Sequence, residues 1–339
     1  MRRARAPGRV TLIGDHTDYN AGLSLPMAID LATEAIFDPD PDSFLIGLHS
    51  EGFGESWEIP LADTASAPPQ AALAAALVSL ANPTTGGTMK VTSTVPVGAG
   101  LSSSAAFSVA VLLALGCTDE PVALAKLCQA AEAVAGSPVG LLDPLTIIGA
   151  QEGHALHIDF STLEQRQVAI PPAAAFVIVH SGTTRTLGGS PYATRRAECE
   201  LAANHIGRPL GRCDLGDLSA LAEPVLRRRA RHVITECARV REVERLLARG
   251  NLAGVGAVLT DGHRSLAEDY RVSLPVVDEL VEALVRTPGV YGARMTGGGF
   301  GGCVIALCEE GSPALRPVMH APGRAWRISP ARGAALLAT

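Results

Sequence analysis

The chain has 339 residues, of which 47% are hydrophobic and 18% are charged, and its formal net charge is −6. This composition is typical of a folded protein with a sizeable core and excludes a largely disordered chain. The negative charge and the presence of only two lysines argue against nucleic acid as a main partner. Three consecutive arginines at positions 227–229 fall in a predicted helix over residues 223–249, where we expect them on a solvated face.

The cysteines and the start of the chain bear on the compartment. Seven cysteines form no Cys-X-X-Cys pair, and several lie in apolar surroundings, so we expect reduced core residues. The opening residues lack a secretory signal pattern, and no apolar run approaches the roughly 20 residues of a membrane helix. We therefore expect a cytoplasmic protein with no membrane partner.

The first predicted strand, residues 9–13, runs into a polar segment at residues 14–22. Four side chains that can bind hydroxyl groups stand in a row there: Asp15, His16, Thr17 and Asp18. Surface loops often collect Asp, Asn and Gly for turn chemistry alone. A simple turn does not need a histidine between two carboxylates, so the segment favours a binding role.

Residues 96–106 read Pro-Val-Gly-Ala-Gly-Leu-Ser-Ser-Ser-Ala-Ala, between an alternating run at 89–95 and an apolar run at 107–115. This pattern predicts a strand, a glycine-rich turn and a buried helix. The unpaired N–H groups and positive dipole end of such a helix suit a phosphate chain, and the serines add hydroxyls for phosphate or magnesium. No Gly-Lys-[Ser/Thr] follows, so the turn is not a Walker P-loop. An ordinary capped turn has the same composition, and the residues alone leave both possibilities open.

A helix is predicted over residues 122–134, and Asp143 then stands in an otherwise apolar stretch at 140–149. A carboxylate in such surroundings needs a partner, or its pKa rises. Taken locally, the residues favour a helix N-cap at Asp143 ahead of Pro144 at the first helical position.

The second half begins with strands at residues 154–159, 167–170 and 175–180, and is then mostly helical up to residue 285. Five glycines at residues 297–302, between two predicted strands, form a second backbone-lined cradle, because a hairpin would need far fewer glycines. The boundary between the halves is predicted near residues 163–170.

Three motifs now stand in order along the chain, at residues 8–20, 96–106 and 297–302. Together they resemble the GHMP-superfamily small-molecule kinases and, within them, the galactokinases. The first motif, Gly-Asp-His-Thr-Asp-Tyr-Asn after the first strand, is the discriminating one. Secondary matches, such as Tyr-Ala-Thr-Arg-Arg at 192–196, extend the resemblance over nearly the whole chain.

The resemblance implies an α/β (α+β) fold of two lobes, residues 1–165 and 166–339, with the active site in the cleft between them. It implies transfer of the γ-phosphoryl group of ATP, with Mg²⁺, to the anomeric C1 hydroxyl of a sugar, D-galactose being the first candidate. We expect a monomer whose partners are the sugar and ATP.

The resemblance also assigns residues by their motif positions. Asp143 falls on the catalytic aspartate, and Arg9 matches the arginine beside it. The sugar would contact Asp15, His16, Thr17, Asp18, Gly140, Tyr192, Gly298 and Gly299. The phosphates would contact Gly98, Ala99, Gly100, Leu101, Ser102, Ser103 and Ser104, with Ser50 on the adenine side. Magnesium would be held by Ser104 and Glu132.

Two departures bear on the substrate. Asp15 stands where the family usually has Glu, one methylene longer, and Pro144 replaces the Gln after the catalytic aspartate. The alternatives are therefore a kinase for a related sugar or cyclitol, among them galacturonate, N-acetylgalactosamine, arabinose and a heptose. A non-catalytic sugar sensor is the alternative from another class. The presence of Arg9, Asp143 and both magnesium positions favours an enzyme.

Overall fold

Strands and helices of both halves are seen in a computed structural model, which describes residues 1–51, 55–118, 120–136, 140–183, 191–315 and 325–338. The strands are β1 (Arg2–Ile13), β2 (Leu23–Asp40), β3 (Leu45–Ser50), β4 (Glu55–Pro60), β5 (Gly86–Ser93), β6 (His154–Asp159), β7 (Glu164–Ala169), β8 (Ala174–His180), β9 (Val290–Met295), β10 (Cys303–Glu309), β11 (Ala325–Ile328) and β12 (Ala335–Leu337). The helices are α1 (Ala72–Ala81), α2 (Ser103–Leu115), α3 (Pro121–Val134), α4 (Leu142–Gly149), α5 (Pro191–Ile206), α6 (Pro224–Ala248), α7 (Leu252–Ser265) and α8 (Pro275–Val285). The predicted mixture of helices and strands is confirmed.

The first sheet has eight strands, in the order β12-β1-β2-β5-β3-β4, with β6 pairing to β2 and β7 to β6. All pairs are antiparallel except β3 with β5. Apolar residues recur along β1 and β2 and place one face of the sheet against α1, α2 and α3. The strand β12, close to the end of the chain, returns to pair with β1.

The second sheet has four antiparallel strands, in the order β11-β8-β10-β9. The strands β9 and β10 flank the predicted glycine cradle and pair directly, with Val304 opposite Met295. Helices α5, α6 and α8 cover one face of this sheet. The sheet thus presents the cradle at one end of the β9–β10 pair.

The helix α2 is apolar on all sides, as expected of a helix buried on all faces. Ten of its thirteen residues are buried, and its first turn directly follows the glycine-rich turn. The sequence prediction of a strand, a turn and a buried helix is confirmed here. Within the described ranges, no helix combines the length and the apolar character that crossing a membrane requires.

A shared core joins the two halves. Val10 and Leu25 of the first sheet belong to one buried cluster with Val240 of α6 and Ile305 of β10. Because burial of such side chains contributes on the order of 1.5–3 kcal/mol each, this cluster fixes the two halves against each other. The loops that extend from both sheets therefore meet in a defined geometry.

The predicted solvated face of the arginine run at 227–229 is wrong for Arg229, and Arg227 and Arg228 are half-buried. Arg229 is buried in α6, where its Nε donates to Glu198 at 2.6 Å. Arg231 reaches Asp269 at 3.0 Å. The carboxylates come from α5 and from the segment after α7, so the pairing depends on tertiary contacts that the local charge pattern does not contain.

Candidate active site

Three segments from distant parts of the chain meet at the junction of the sheets. They are the acidic loop (residues 14–22) between β1 and β2, the serine turn (residues 96–104) ahead of α2, and the glycine cradle (residues 297–302) between β9 and β10. Hydrogen bonds join them: the backbone N–H of Gly297 donates to Asp15, and Arg9 of β1 donates to the carbonyl of Gly100. The predicted motifs thus lie together.

Arg9 and Asp143 form an ion pair beside the serine turn. The Nε of Arg9 donates to Oδ1 of Asp143 at 2.6 Å, and its Nη1 donates to the Gly100 carbonyl at 2.8 Å. The hydroxyl of Ser102 donates to the other carboxylate oxygen, Oδ2. Arg9 is buried, whereas the Asp143 side chain is 25% exposed. The carboxylate is therefore fixed in orientation and still within reach of a ligand.

The helix-cap interpretation of Asp143 is wrong. Helix α4 begins at Leu142, its N-cap position is Leu141, and Leu141 has no side chain that could cap it. Asp143 lies inside the first turn, with its carboxylate directed to Arg9. The partner that a carboxylate in apolar surroundings needs comes from a strand 134 residues earlier in the chain.

Ser102 turns the chain into α2 with a left-handed backbone, φ 63°. Such a conformation is uncommon in a non-glycine residue and is often found at functional sites. The side chain caps no backbone group of α2. Its bond to Asp143 is a contact that the motif assignment, which gave Ser102 to the phosphates, did not include.

Ser104 and Glu132 lie next to each other in α2 and α3. Glu132 is buried, burial raises its pKa, and a hydrogen bond from Ser104 opposes that rise. Its Oε1 has no hydrogen-bond partner among the residues that the structure describes. No cluster of three or more His, Cys, Asp or Glu side chains occurs in the described segments. Magnesium binds through one or two carboxylates plus waters and phosphate oxygens, so a hydroxyl beside a carboxylate with an unused oxygen fits this ion.

A cavity of about 240 Å³ opens next to the serine turn. Its lining is partly apolar and partly hydroxylic, and includes Thr33, Ser50, Ser93, Val95, Ser103 and Phe107. Ser50, placed on the adenine side by spacing alone, does line this cavity. Thr33 and Phe107 were missed, because nothing in their local sequence marks them; strand β2 and helix α2 bring them there.

Asp18 and Gly140 face each other. Burial raises the pKa of Asp18 to about 6, and the nearby charge of Asp143 adds to the rise. A Cβ atom at Gly140 would lie 1.8 Å from Oδ2 of Asp18. Glycine is therefore required at position 140 for the carboxylate to occupy this place.

Asp15 is held by groups from the other half of the chain. Its Oδ2 accepts from Nη2 of Arg294 at 2.8 Å, and its Oδ1 accepts from the N–H of Gly297 at 3.0 Å. Burial raises the pKa of Asp15 to about 6, although the guanidinium of Arg294 opposes the rise. Nη1 of Arg294 donates to Glu236 at 2.8 Å, and Glu236 also accepts from the N–H of Gly14. Arg294 and Glu236 were missed by the motif reasoning.

Thr17, predicted to contact the sugar, has its side chain fully buried. Its hydroxyl lies 2.8 Å from the Gly14 carbonyl and 2.7 Å from the Leu23 carbonyl, to which it donates. The residue closes the acidic loop on itself, and we remove it from the groups that face a ligand. A hydroxyl in a polar motif gives no local indication of whether it points inward or outward.

His16 of the acidic loop lies near Tyr192 of α5. Their ring centroids are 5.8 Å apart, and Tyr192 lies in the first turn of α5.

Gly298 and Gly299 lie in the glycine cradle, and Gly299 has φ +83°. A Cβ at Gly299 would lie 2.6 Å from the Val272 carbonyl, so the close approach of the cradle to that segment requires glycine.

Comparisons with known proteins agree with this geometry. A family model described as the galactokinase galactose-binding signature matches residues 2–39, the GHMP kinases N terminal domain matches 70–149, and the GHMP kinases C terminal matches 243–316. Each of the three segments of the site lies largely or entirely within one of these matches.

Similar proteins cover nearly the whole chain. The galactokinase of Canis lupus familiaris is 42% identical in an alignment 324 residues long that covers 90% of this chain and 83% of that protein. The crystal structure of Lactococcus lactis galactokinase complexed with galactose superposes with a TM-score of 0.90 at 26% identity, covering 99% of this chain and 95% of the other. A crystal structure of mevalonate kinase, 20% identical with a TM-score of 0.71 over 96% and 98% of the two chains, shares the fold. This chain belongs to the galactokinase family of the GHMP kinases.

Proposed function

We propose that this protein transfers the γ-phosphoryl group of ATP to the C1 hydroxyl of D-galactose, giving galactose 1-phosphate and ADP. The observation that carries the proposal is the ion pair of Arg9 with Asp143 at 2.6 Å, beside the N-terminus of α2. It puts a fixed carboxylate and a cation at the place where a phosphate chain and a hydroxyl would meet. Family membership supports both substrates.

The chemistry follows from that pair. The C1 oxygen forms a bond to the γ-phosphorus as the bond from that phosphorus to the β–γ bridging oxygen breaks, and the hydroxyl must lose its proton. Asp143 can accept this proton or hold the hydroxyl in line, with Arg9 orienting the carboxylate through their ion pair and countering charge on the phosphoryl group. Ser102 fixes the second carboxylate oxygen, so the reactive geometry exists before substrate arrives.

The nucleotide side is supported by the serine turn. The first N–H groups of a helix have no partner within the helix, so those at the start of α2, with the positive end of its dipole, favour phosphate oxygens. Ser104 and Glu132 would hold magnesium, which when bound neutralises charge on the phosphates. The cavity lined by Ser50 and Phe107 is suited to the base, because it combines an aromatic ring with hydroxyl groups.

The sugar side rests on the acidic loop. Asp18 lies close enough to Asp143 for the charges of the two carboxylates to influence each other. Carboxylate oxygens accept hydrogen bonds from sugar hydroxyls. Asp15 is buried with both oxygens bonded to protein groups, whereas the bonded carboxylate of Asp143 is still 25% exposed. We therefore assign Asp15 chiefly to holding the loop, where Asp in place of Glu is suited to a short reach to Arg294.

The test is ADP release from MgATP with galactose, galacturonate, N-acetylgalactosamine, arabinose, glucose and a heptose. We expect turnover on galactose and its loss in Asp143→Asn, with galactose binding still measurable by calorimetry. Asp261→Asn, an exposed acid-to-amide change in α7, is the matched control. Preference for another sugar would overturn the substrate, and full activity of Asp143→Asn would overturn the catalytic assignment. Sugar binding without turnover on any sugar would support a sensor.

A further inference from the structure

A chain of hydrogen bonds runs away from His16 into the protein. Nδ1 of His16 lies 2.8 Å from the hydroxyl of Tyr19, and this hydroxyl lies 2.8 Å from that of Tyr270. The Tyr270 hydroxyl in turn lies 3.0 Å from Sγ of Cys199. The four groups come from the acidic loop, from the π-helical turn at Leu266–Tyr270 and from α5. The series of hydrogen bonds therefore links three elements.

Tyr270, within this series of hydrogen bonds, is enclosed by other side chains. Tyr270 is fully buried, and its ring lies between those of His16 and His232, with centroid distances of 4.6 and 4.5 Å. Burial raises the pKa of both tyrosines well above the ordinary value. Both hydroxyls therefore keep their protons, and each can donate one hydrogen bond.

The main chain of His16 is also held. Its backbone is left-handed, with φ 64°, which is uncommon in a non-glycine residue. Nδ2 of Asn20 donates to its carbonyl at 2.8 Å. The ring is thus presented by a fixed backbone on one side and by the hydroxyl of Tyr19 on the other.

The direction of the hydrogen bonds decides which ring nitrogen carries the proton. The thiol of Cys199 is both a weak donor and a weak acceptor, so it contributes little to the choice. Between His16 and Tyr19, the imidazole nitrogen is the more basic atom, so a hydroxyl that donates to nitrogen makes the stronger bond than an imidazole N–H that donates to phenol oxygen. The favoured order is Tyr270 to Tyr19 and Tyr19 to Nδ1.

We propose that Tyr19 and Tyr270 are positioning residues that hold His16 as the tautomer with its proton on Nε2. The ring then presents an N–H donor to an oxygen of the ligand, because the hydrogen bond at one imidazole nitrogen sets the protonation of the other. That the ligand is a sugar rests on the proposed function; the tautomer itself does not depend on it.

The direct test is NMR of the ¹⁵N-histidine-labelled protein at pH 8, where an imidazole of ordinary pKa is neutral. Long-range N–H correlations distinguish the two tautomers, and His16→Gln identifies the signal among nine histidines. We expect protonated Nε2 and unprotonated Nδ1 in the unsubstituted protein. The opposite tautomer would overturn the proposal without any need for a folded tyrosine variant.

Kinetics provide the second test. Tyr19→Phe leaves Nδ1 without its donor, and we expect the KM for galactose to rise about tenfold, the effect of about one hydrogen bond. The kcat and the KM for ATP should stay within about twofold, because an interaction lost equally from ground and transition states raises only KM. Tyr270→Phe should act in the same direction, and its His16 signals should lose the single-tautomer pattern.

Tyr291→Phe is the matched control, since Tyr291 lies in β9 outside the chain of hydrogen bonds. It should change neither the His16 signals nor the KM for galactose. An unaltered KM and an unaltered tautomer in Tyr19→Phe would refute the proposal while galactose phosphorylation by the unsubstituted protein still stands. Failure of that phosphorylation would refute the proposed function, and the NMR result would still decide the tautomer.

Discussion

Arg294 joins the acidic loop to the core, and its replacement by Met tests how much that connection stabilises the protein. The side chain is fully buried and forms two ion pairs at 2.8 Å, with Asp15 and with Glu236. Methionine fills similar space with apolar atoms. The substitution thus removes the cation and leaves two carboxylates in the interior.

The magnitude follows from what each carboxylate retains. Removal of one partner of a buried ion pair costs about 3–5 kcal/mol. Glu236 keeps its ion pair with Arg239 at 2.9 Å and its hydrogen bond from the N–H of Gly14. The loss of Arg294 therefore costs less free energy of unfolding at this carboxylate. Asp15 can avoid the cost of an unpaired buried charge by taking up a proton, because burial already raises its pKa to about 6. We therefore expect a loss near the lower end, about 3 kcal/mol.

Thermal unfolding followed by circular dichroism measures this loss. For a chain of this length the entropy of unfolding converts about 3 kcal/mol to a fall in Tm of about 4 °C. The matched control is Arg286→Met in α8, whose ion pair with Glu282 has the same 2.8 Å distance but is exposed. An exposed pair contributes at most about 1 kcal/mol, so its Tm should fall by less than about 1.5 °C.

The pH dependence gives an independent check. Without Arg294, burial is less opposed and the pKa of Asp15 rises above about 6, while in the unfolded chain it returns to its ordinary value near 3.8. Asp15 of the variant then stays protonated in the folded state at pH values where it is ionised in the unfolded chain, which stabilises the folded state. This stabilisation is lost as the pH rises through the raised pKa. The destabilisation by Arg294→Met should be larger at pH 8 than at pH 5.5. Equal Tm losses in the two methionine variants, or a destabilisation that shrinks as the pH rises, would refute the reasoning.

Three further predictions concern the site. Glu132→Gln weakens the oxygen pair that fits magnesium, so the Mg²⁺ concentration for half-maximal ADP release should rise at least about fivefold; an unchanged dependence would remove Glu132 from the metal site. Gly140→Ala puts a methyl group 1.8 Å from Oδ2 of Asp18, so the KM for galactose should rise about tenfold. Gly47→Ala is the control and should leave that KM unchanged, because the new methyl group meets no described atom within 4 Å. Because burial raises the pKa of Asp18 to about 6, kcat/KM for galactose should fall about tenfold per pH unit below that value as the carboxylate takes up its proton, and a half-point near 4 would contradict this role.

Local patterns were sufficient for much of the fold and for the place of the motifs. The apolar run of α2, the strand at His154–Asp159 and the two strands around the glycine cradle follow from periodicity and glycine content, which depend only on neighbours in sequence. The segments 14–22 and 96–104 stood out because residues of these types lower the stability of a fold unless they bind a ligand or form a special turn. The kinase chemistry was predicted from the resemblance of the three motifs to the GHMP kinases.

What each side chain does within those motifs was decided by the tertiary structure. Thr17 stands in the same polar run as Asp18 but turns inward to backbone carbonyls. Asp143 fits a helix cap by its neighbours, yet its partner Arg9 arrives from a strand 134 residues away. Arg294 and Tyr270 carry no local indication of a role, because their function is to contact the acidic loop from distant elements. Sequence neighbours determine which elements form, whereas the partners of a buried polar group come from wherever the packed chain places them.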